Sequence, residues 1–329
     1  MTREYCANLA VLTLIAAGVA RAMIRIGIMD MPAGRKAHNR PTPKAGGIAP
    51  IAAFVASFAI FSTVWELPTI IVVTTAVLLG LVGLIDDLRD LGVGAKLAAQ
   101  TMAALVVVCV GPGPATGWAD PLPWLAVGWL VFITNAFNFM DGLNGLAAGA
   151  GLIAAVFLAS TAPPGSAAQI GALALAAGLA GFLPFNFPRA RLFLGDTGSQ
   201  FCGFLLGVLG LGLARETGAA SAIWLLPMLL AGMIVDVGVT LIRRFLAGAC
   251  LTTAHREHFY QRAALHPSAI ALVHCGFVVI GGLAWHVADR VSTWPALVLL
   301  ALTHFAWLCF VESGTTDRNH PPRGVRNRP

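Results

Sequence analysis

Asp86 and Asp87, adjacent carboxylates, close the apolar run 78–85 of this 329-residue chain. Neighbouring carboxylates repel unless a cation or a proton relieves them, so the pair is either a cation- and phosphate-facing site or a solvated helix end beside Arg89. A second polar run reads N-x-x-N-x-x-D-G at 135–142. On a helix, Asn135, Asn138 and Asp141 fall three residues apart on one face, where amides and a carboxylate can read a polar ligand or form a structural stripe. A third run, F-L-G-D-T-G-S at 193–199, stands immediately before an apolar helix. Its Asp196 or Ser199 can cap that helix. Equally, the glycines let backbone N–H groups approach a phosphate, with Asp196 as a Mg²⁺ ligand beside substrate oxygens.

Two further segments carry cations. The stretch 30–47 holds Arg35, Lys36, His38, Arg40 and Lys44 with a Pro-Thr-Pro and a Gly-Gly, a composition suited to a phosphate-bearing partner. The stretch 243–267 contains Arg243, Arg244 and then His255-Arg-Glu-His-Phe-Tyr-Gln-Arg262. It lacks the Glu placement of the H-E-x-x-H zinc motif. Asp236 lies seven residues before Arg243, roughly 10 Å along a helix, which places it at membrane depth as an ion-pair partner or a ligand.

The elements that must hold these groups are spanning helices. Hydrophobic residues make up 57% of the chain and charged residues 11%, against about 25% charged in soluble domains. The mean hydropathy is +0.80. A span needs about 17–25 mainly apolar residues. Eleven windows qualify, near 6–27, 45–64, 68–85, 95–111, 121–137, 145–161, 167–185, 198–214, 220–242, 268–287 and 293–311. With these spans alternating across the bilayer, sixteen Lys and Arg fall on one side and three on the other. Basic excess marks the cytoplasmic side, so the N-terminus is expected outside, in the periplasm, and the C-terminus in the cytoplasm. The five polar segments then share the cytoplasmic face, while the outward connections 111–122 and 162–167 carry a single charge between them. Polar groups gathered at one membrane face mark a functional cavity. The first window has its positive charge at its inner end, which favours an uncleaved span over a signal peptide.

The net charge of +6 is read as cytoplasmic loops facing anionic membrane lipids, with no nucleic-acid partner. Six cysteines stand singly with no C-x-x-C pair, so neither a zinc site nor a disulfide framework is expected. One transmembrane domain is expected over 1–311, followed by a disordered basic tail over 312–329. A polytopic secondary transporter is the rival class. It would show inverted repeats and midplane charges in broken helices, and no internal repeat is visible. An intramembrane protease would need paired catalytic groups within spans, and Asp236 stands alone.

The order and spacing of the five segments, R-K-x-H-x-x-P-T-P-x-x-G-G (35–47), G-L-I-D-D (83–87), N-x-x-N-x-x-D-G (135–142), F-L-G-D-T-G-S (193–199) and H-R-x-H-x-Y-Q-R (255–262), resemble the polyprenyl-phosphate N-acetylhexosamine-1-phosphate transferase superfamily. That group includes phospho-MurNAc-pentapeptide translocase and the GlcNAc-1-phosphate transferases that start O-antigen and teichoic acid. The resemblance runs from about Asp30 to Arg262 and implies a multi-pass enzyme of the bacterial inner membrane. Such an enzyme moves a sugar phosphate from a UDP-N-acetylhexosamine to polyprenyl phosphate, releases UMP, uses Mg²⁺ (Mn²⁺ as substitute) and forms homodimers in some members. It implies catalytic roles for Asp86, Asp87, Asp141 and Asp196, with Asp196 and Asp87 as metal ligands. Substrate contacts fall on Arg35, His38, Lys44, Asn135, Asn138, Phe193, Arg256 and His258, with Phe193 stacking on the uracil. Two positions depart from the pattern. Asn144 replaces the second Asp of D-G-x-D-G, withdrawing one carboxylate. The His258-Phe-Tyr-Gln sequence differs from the H-x-H-H of the GlcNAc branch and resembles members using 6-deoxy sugars such as FucNAc or QuiNAc.

Overall fold

The computed structural model describes residues 3–31, 40–61, 66–111, 117, 119–253 and 255–319. It is a helical bundle. Its only sheet among the described residues is an antiparallel ribbon of two-residue strands, β1 (Met29–Asp30) and β2 (Thr42–Pro43), pairing Met29 with Pro43 and Asp30 with Thr42. The helices follow as α1 (Arg3–Ile26), α2 (Ile48–Ile60), α3 (Leu67–Arg89), α4 (Val93–Val110), α5 (Pro121–Phe139), α6 (Leu146–Thr161), α7 (Ala167–Asn186) and α8 (Gly195–Thr217). After a 3₁₀ turn, Ala220–Trp224, come α9 (Leu225–Leu229), α10 (Ala231–Leu246), α11 (Phe259–Arg262), α12 (Pro267–Arg290) and α13 (Thr293–Asn319).

Eight of these helices, α1, α3, α4, α5, α7, α8, α12 and α13, are long and apolar enough to cross a membrane, which makes the chain an all-α polytopic membrane protein. Three of the eleven expected windows differ from a full-length straight span. Windows 45–64 and 145–161 give helices of 13 and 16 residues. The first stops at Phe61, and the second starts only after Gly145, whose φ of 79° closes the turn that separates it from α5. Window 220–242 is bent by 69° between α9 and α10. The break falls at Leu230, whose φ of −95° and ψ of 15° leave the helical range between the two segments.

α8 is the axis of the bundle and the most enclosed span, packed by α3, α5, α6 and α7. At its start, Gly198 meets Gly47 of the α2 entry so closely that a Cβ on either would strike backbone, the small-residue contact that brings membrane helices together. The last helix continues to Asn319, into the tail expected to be disordered from residue 312. Glu312 extends the order by pairing with Arg243 at 2.5 Å and Arg262 at 2.9 Å. Residues 320–329 lie outside the described residues.

Candidate active site

The five polar segments meet. A cavity of about 650 Å³ draws its walls from the ribbon (Asp30, Lys44), the end of α3 (Asp86, Asp87), the turn after α5 (Asn138, Asp141), the start of α8 (Phe193, Asp196) and the loop before α12 (Arg256, Tyr260). Backbone pairing builds the junction between the first and fourth of these. Phe193 N donates to Pro43 O at 2.8 Å, Gly46 N to Phe193 O at 2.8 Å, and Gly47 N to Leu194 O at 2.9 Å. The Pro-Thr-Pro and Gly-Gly punctuation therefore makes a docking strip for the F-L-G-D loop.

The two adjacent aspartates turn to different tasks. Asp87 faces the start of α8, where Oδ1 accepts from Asp196 N at 3.2 Å and Oδ2 from Thr197 N at 3.0 Å and Thr197 Oγ1 at 2.7 Å. It caps a helix other than its own, meeting orphan donors at the positive end of the dipole. Gly195 permits this, since its φ is 72° and a Cβ there would lie 2.6 Å from the Asp87 carboxylate. Gly83, one turn before, has no room for a Cβ against the Asp196 carbonyl. Asp86 instead accepts from Leu91 N at 2.6 Å and pairs with Lys96 at 2.8 Å.

Lys96 is the hub that sequence reasoning missed; it entered only as one basic residue among sixteen. Its ammonium also reaches Asp196 Oδ2 at 3.2 Å, bridging α3 to α8. Asn138 Nδ2 donates to Asp196 Oδ1 at 3.0 Å and to Ser199 Oγ at 2.8 Å. Asp141 stands beside them on the turn after α5. Burial, then the charges of Asp196 and Asp87, push its carboxyl well above the ordinary range, opposed by the Gly195 N–H. The signal available for Lys96 was its place in the first turn of an apolar helix, a few residues after the aspartate pair.

The remaining candidates divide. Lys44, Phe193 and Arg256 line the cavity, with Lys44 4.0 Å from Asp30. Arg35 and His38 lie outside the described residues. Asn135 is not on the cavity wall. It lies one turn deeper, donating to Gln100 Oε1 at 2.6 Å. Nor does His258 reach the wall, because Asp236 holds its Nδ1 at 3.0 Å in the protein interior. The same carboxylate accepts from Phe259 N at 3.1 Å and Tyr260 N at 2.8 Å, which settles Asp236 as a structural anchor. What that anchor presents is Tyr260, also missed from sequence. Its hydroxyl donates to Phe139 O at 2.8 Å, tying the histidine loop to the Asp141 turn. Burial, followed by the Asp236 charge, raises the phenol so that it stays protonated.

The acidic cavity suits a hard cation. Among the described residues, no group of three His, Cys, Asp or Glu is gathered tightly enough to hold a metal by itself. Each Asp87 oxygen is held by a backbone N–H of the α8 start, whereas the Asp196 oxygens meet side chains, Asn138 Nδ2 and Lys96 Nζ, which can yield to an ion. The donor set therefore fits Mg²⁺ held by Asp196 and completed by substrate oxygens, since Mg²⁺ is typically bound by one or two carboxylates plus phosphates.

The model of Glycosyl transferase family 4 matches residues 69–214, which contain three of these five walls, those at the end of α3, after α5 and at the start of α8. A probable undecaprenyl-phosphate N-acetylglucosaminyl 1-phosphate transferase of Bacillus subtilis is 32% identical over 272 residues, covering 78% of this chain and 75% of that protein. A decaprenyl-phosphate N-acetylglucosaminephosphotransferase of Mycolicibacterium smegmatis is 31% identical, covering 89% and 83% respectively. A phospho-N-acetylmuramoyl-pentapeptide-transferase of Moorella thermoacetica is 36% identical over 61% of this chain and 72% of its own length.

Proposed function

The chain belongs to glycosyl transferase family 4, and from that premise we propose that it transfers an N-acetylhexosamine 1-phosphate from a UDP-sugar to polyprenyl phosphate in the bacterial inner membrane. An oxygen of the lipid phosphate bonds to the β-phosphorus of the donor. The bond from that phosphorus to the bridging oxygen breaks, and its electron pair leaves with UMP. The observation that carries this reading is the convergence of Asp86, Asn138, Asp141 and Asp196 on one cavity at the end of the bundle, with Lys96 bridging Asp86 and Asp196.

Two phosphates that repel must be brought together, so positioning and charge neutralisation are the protein's work. Mg²⁺ at Asp196 supplies part of that neutralisation when bound. Asn138 fixes the Asp196 carboxylate, and Asp87 fixes the helix turn that carries it. Lys96, Lys44 and Arg256 are cations for phosphate oxygens, and Phe193 is the aromatic surface for uracil. Direct attack is favoured over a covalent enzyme intermediate, because each oxygen of Asp86 and of Asp87 already has a hydrogen-bond or ionic partner. The topology completing this reading has eleven crossings, the N-terminus outside and the cavity open to the cytoplasm.

The expectation of a 6-deoxy sugar rested on the His258 loop. His258 is turned onto Asp236, and the relatives' names carry N-acetylglucosamine, so UDP-N-acetylglucosamine is the donor we propose. Purified protein given undecaprenyl phosphate and, separately, UDP-GlcNAc, UDP-FucNAc and UDP-QuiNAc should release UMP fastest with UDP-GlcNAc. Faster release with either 6-deoxy donor would overturn the sugar assignment, and no release with any would overturn the reaction.

A further inference from the structure

One helical turn beneath the charged layer lies a second layer made of amides. Lys96 on α4 is followed four residues on by Gln100, and Asp196 on α8 by Gln200; Asn138 on α5 is preceded three residues earlier by Asn135. Because α8 starts at the cavity, α5 ends there and α4 starts beside it at Lys96, the three amides sit at similar depth, about 4.5–6 Å below. Gln100 and Asn135 form a reciprocal pair, Asn135 Nδ2 to Gln100 Oε1 at 2.6 Å and Gln100 Nε2 to Asn135 Oδ1 at 3.4 Å. Gln100 Nε2 also reaches Gln200 Oε1 at 3.5 Å. Gln100 and Gln200 are 2% and 1% exposed.

α4 has little else to place its first turns. Val93, Gly94, Ala95, Leu97 and Ala98 are exposed, no atom lies within 4 Å of a Cβ built on Gly94, and Gln100 is the first buried residue of the helix. Before the buried Ala103 and Ala104, the apolar contact of α4 with the core includes only the partly buried Ala99 among its first seven residues. The end of α4 that carries Lys96 is therefore registered against α5 and α8 chiefly by hydrogen bonds.

We propose that Gln100 is a positioning residue for the transfer, setting through Asn135 and Gln200 the height at which Lys96 bridges Asp86 and Asp196. This rests on reading the Asp86–Lys96–Asp196 cluster as the reaction centre. Supporting residues of this kind hold a reacting group to within about 0.5 Å, and a misplacement of roughly 1 Å can cost on the order of 100-fold in rate.

Two variants separate positioning from simple stabilisation. Gln100→Met keeps length and apolar packing but loses every hydrogen bond. Gln100→Glu, neutral when buried, keeps an oxygen for Asn135 and a hydroxyl for Gln200 while taking on the burden of a titratable group in the bundle. The full-length protein in detergent should show kcat for UMP release in the order wild type, Gln100→Glu, Gln100→Met, the last lowered roughly 10- to 100-fold with KM for the UDP-sugar within about twofold. Thermal midpoints should run the other way for the two variants, Met at or above Glu. Wild-type kcat in Gln100→Met, a rise in KM in place of the fall in kcat, or kcat following thermal midpoint would each overturn the proposal. Failure of the reaction reading itself looks different, since the wild type would then release no UMP at all.

Discussion

Asp141 is the residue whose chemistry is most exposed to test. Its raised carboxyl means that the folded protein favours the protonated form more than the unfolded chain does. The stabilisation this gives is complete below the ordinary carboxyl range and is lost as pH rises through the raised value. Without divalent cations, the thermal midpoint should therefore fall as pH climbs through that raised range. Asp141→Asn, neutral at every pH, should flatten the fall while lowering turnover, and an unchanged slope in thermal melts across pH would contradict this. Motif order exposed Asp141, Asp196 and Asn138 in the sequence because each sits in a run of polar residues where an apolar helix should be. Lys96 and Gln100 carry no such local mark, since their partners are distant in the chain and they become visible only once α3, α4, α5 and α8 are packed. His258 shows the reverse failure. The motif was legible, but the direction of one side chain depended on a carboxylate twenty-two residues earlier.

Among the elements, α3 and α8 set the site by how closely they cross. Gly83→Ala should force the α3 backbone away from the Asp196 carbonyl, at a cost of about 1–3 kcal/mol for overpacking, and should lower activity more than it lowers thermal stability. Gly94→Ala, on the exposed first turn of α4, meets no atom within 4 Å and should be neutral or stabilising by up to about 1 kcal/mol. Melting and UMP-release assays of the two variants check the contrast, and equal effects would contradict it. Hydropathy located the helices well because lipid imposes a long apolar run on each of them. It did not show the bend at Leu230 or the early end of α2 at Ile60, because the apolar pattern continues through both, whereas the 16 residues of α6 match their window to within one residue.

For the whole molecule, the charge asymmetry makes a topological claim. A reporter fused after Thr217 should lie outside the cell, and one fused after Leu246 inside, since the bent pair α9–α10 separates them. Alkaline phosphatase activity at the first site and fluorescent-protein emission at the second are expected; both reporters on one side would contradict the placement of the cavity in the cytoplasm. The central claim concerns a phosphorus atom. UDP-N-acetylglucosamine radiolabelled at its β-phosphate should, with undecaprenyl phosphate and Mg²⁺, yield labelled organic-soluble lipid and an equimolar amount of unlabelled UMP. Both products should vanish in excess chelator and in Asp196→Asn. Label recovered as free phosphate or UDP, or undiminished lipid labelling by Asp196→Asn, would contradict the account.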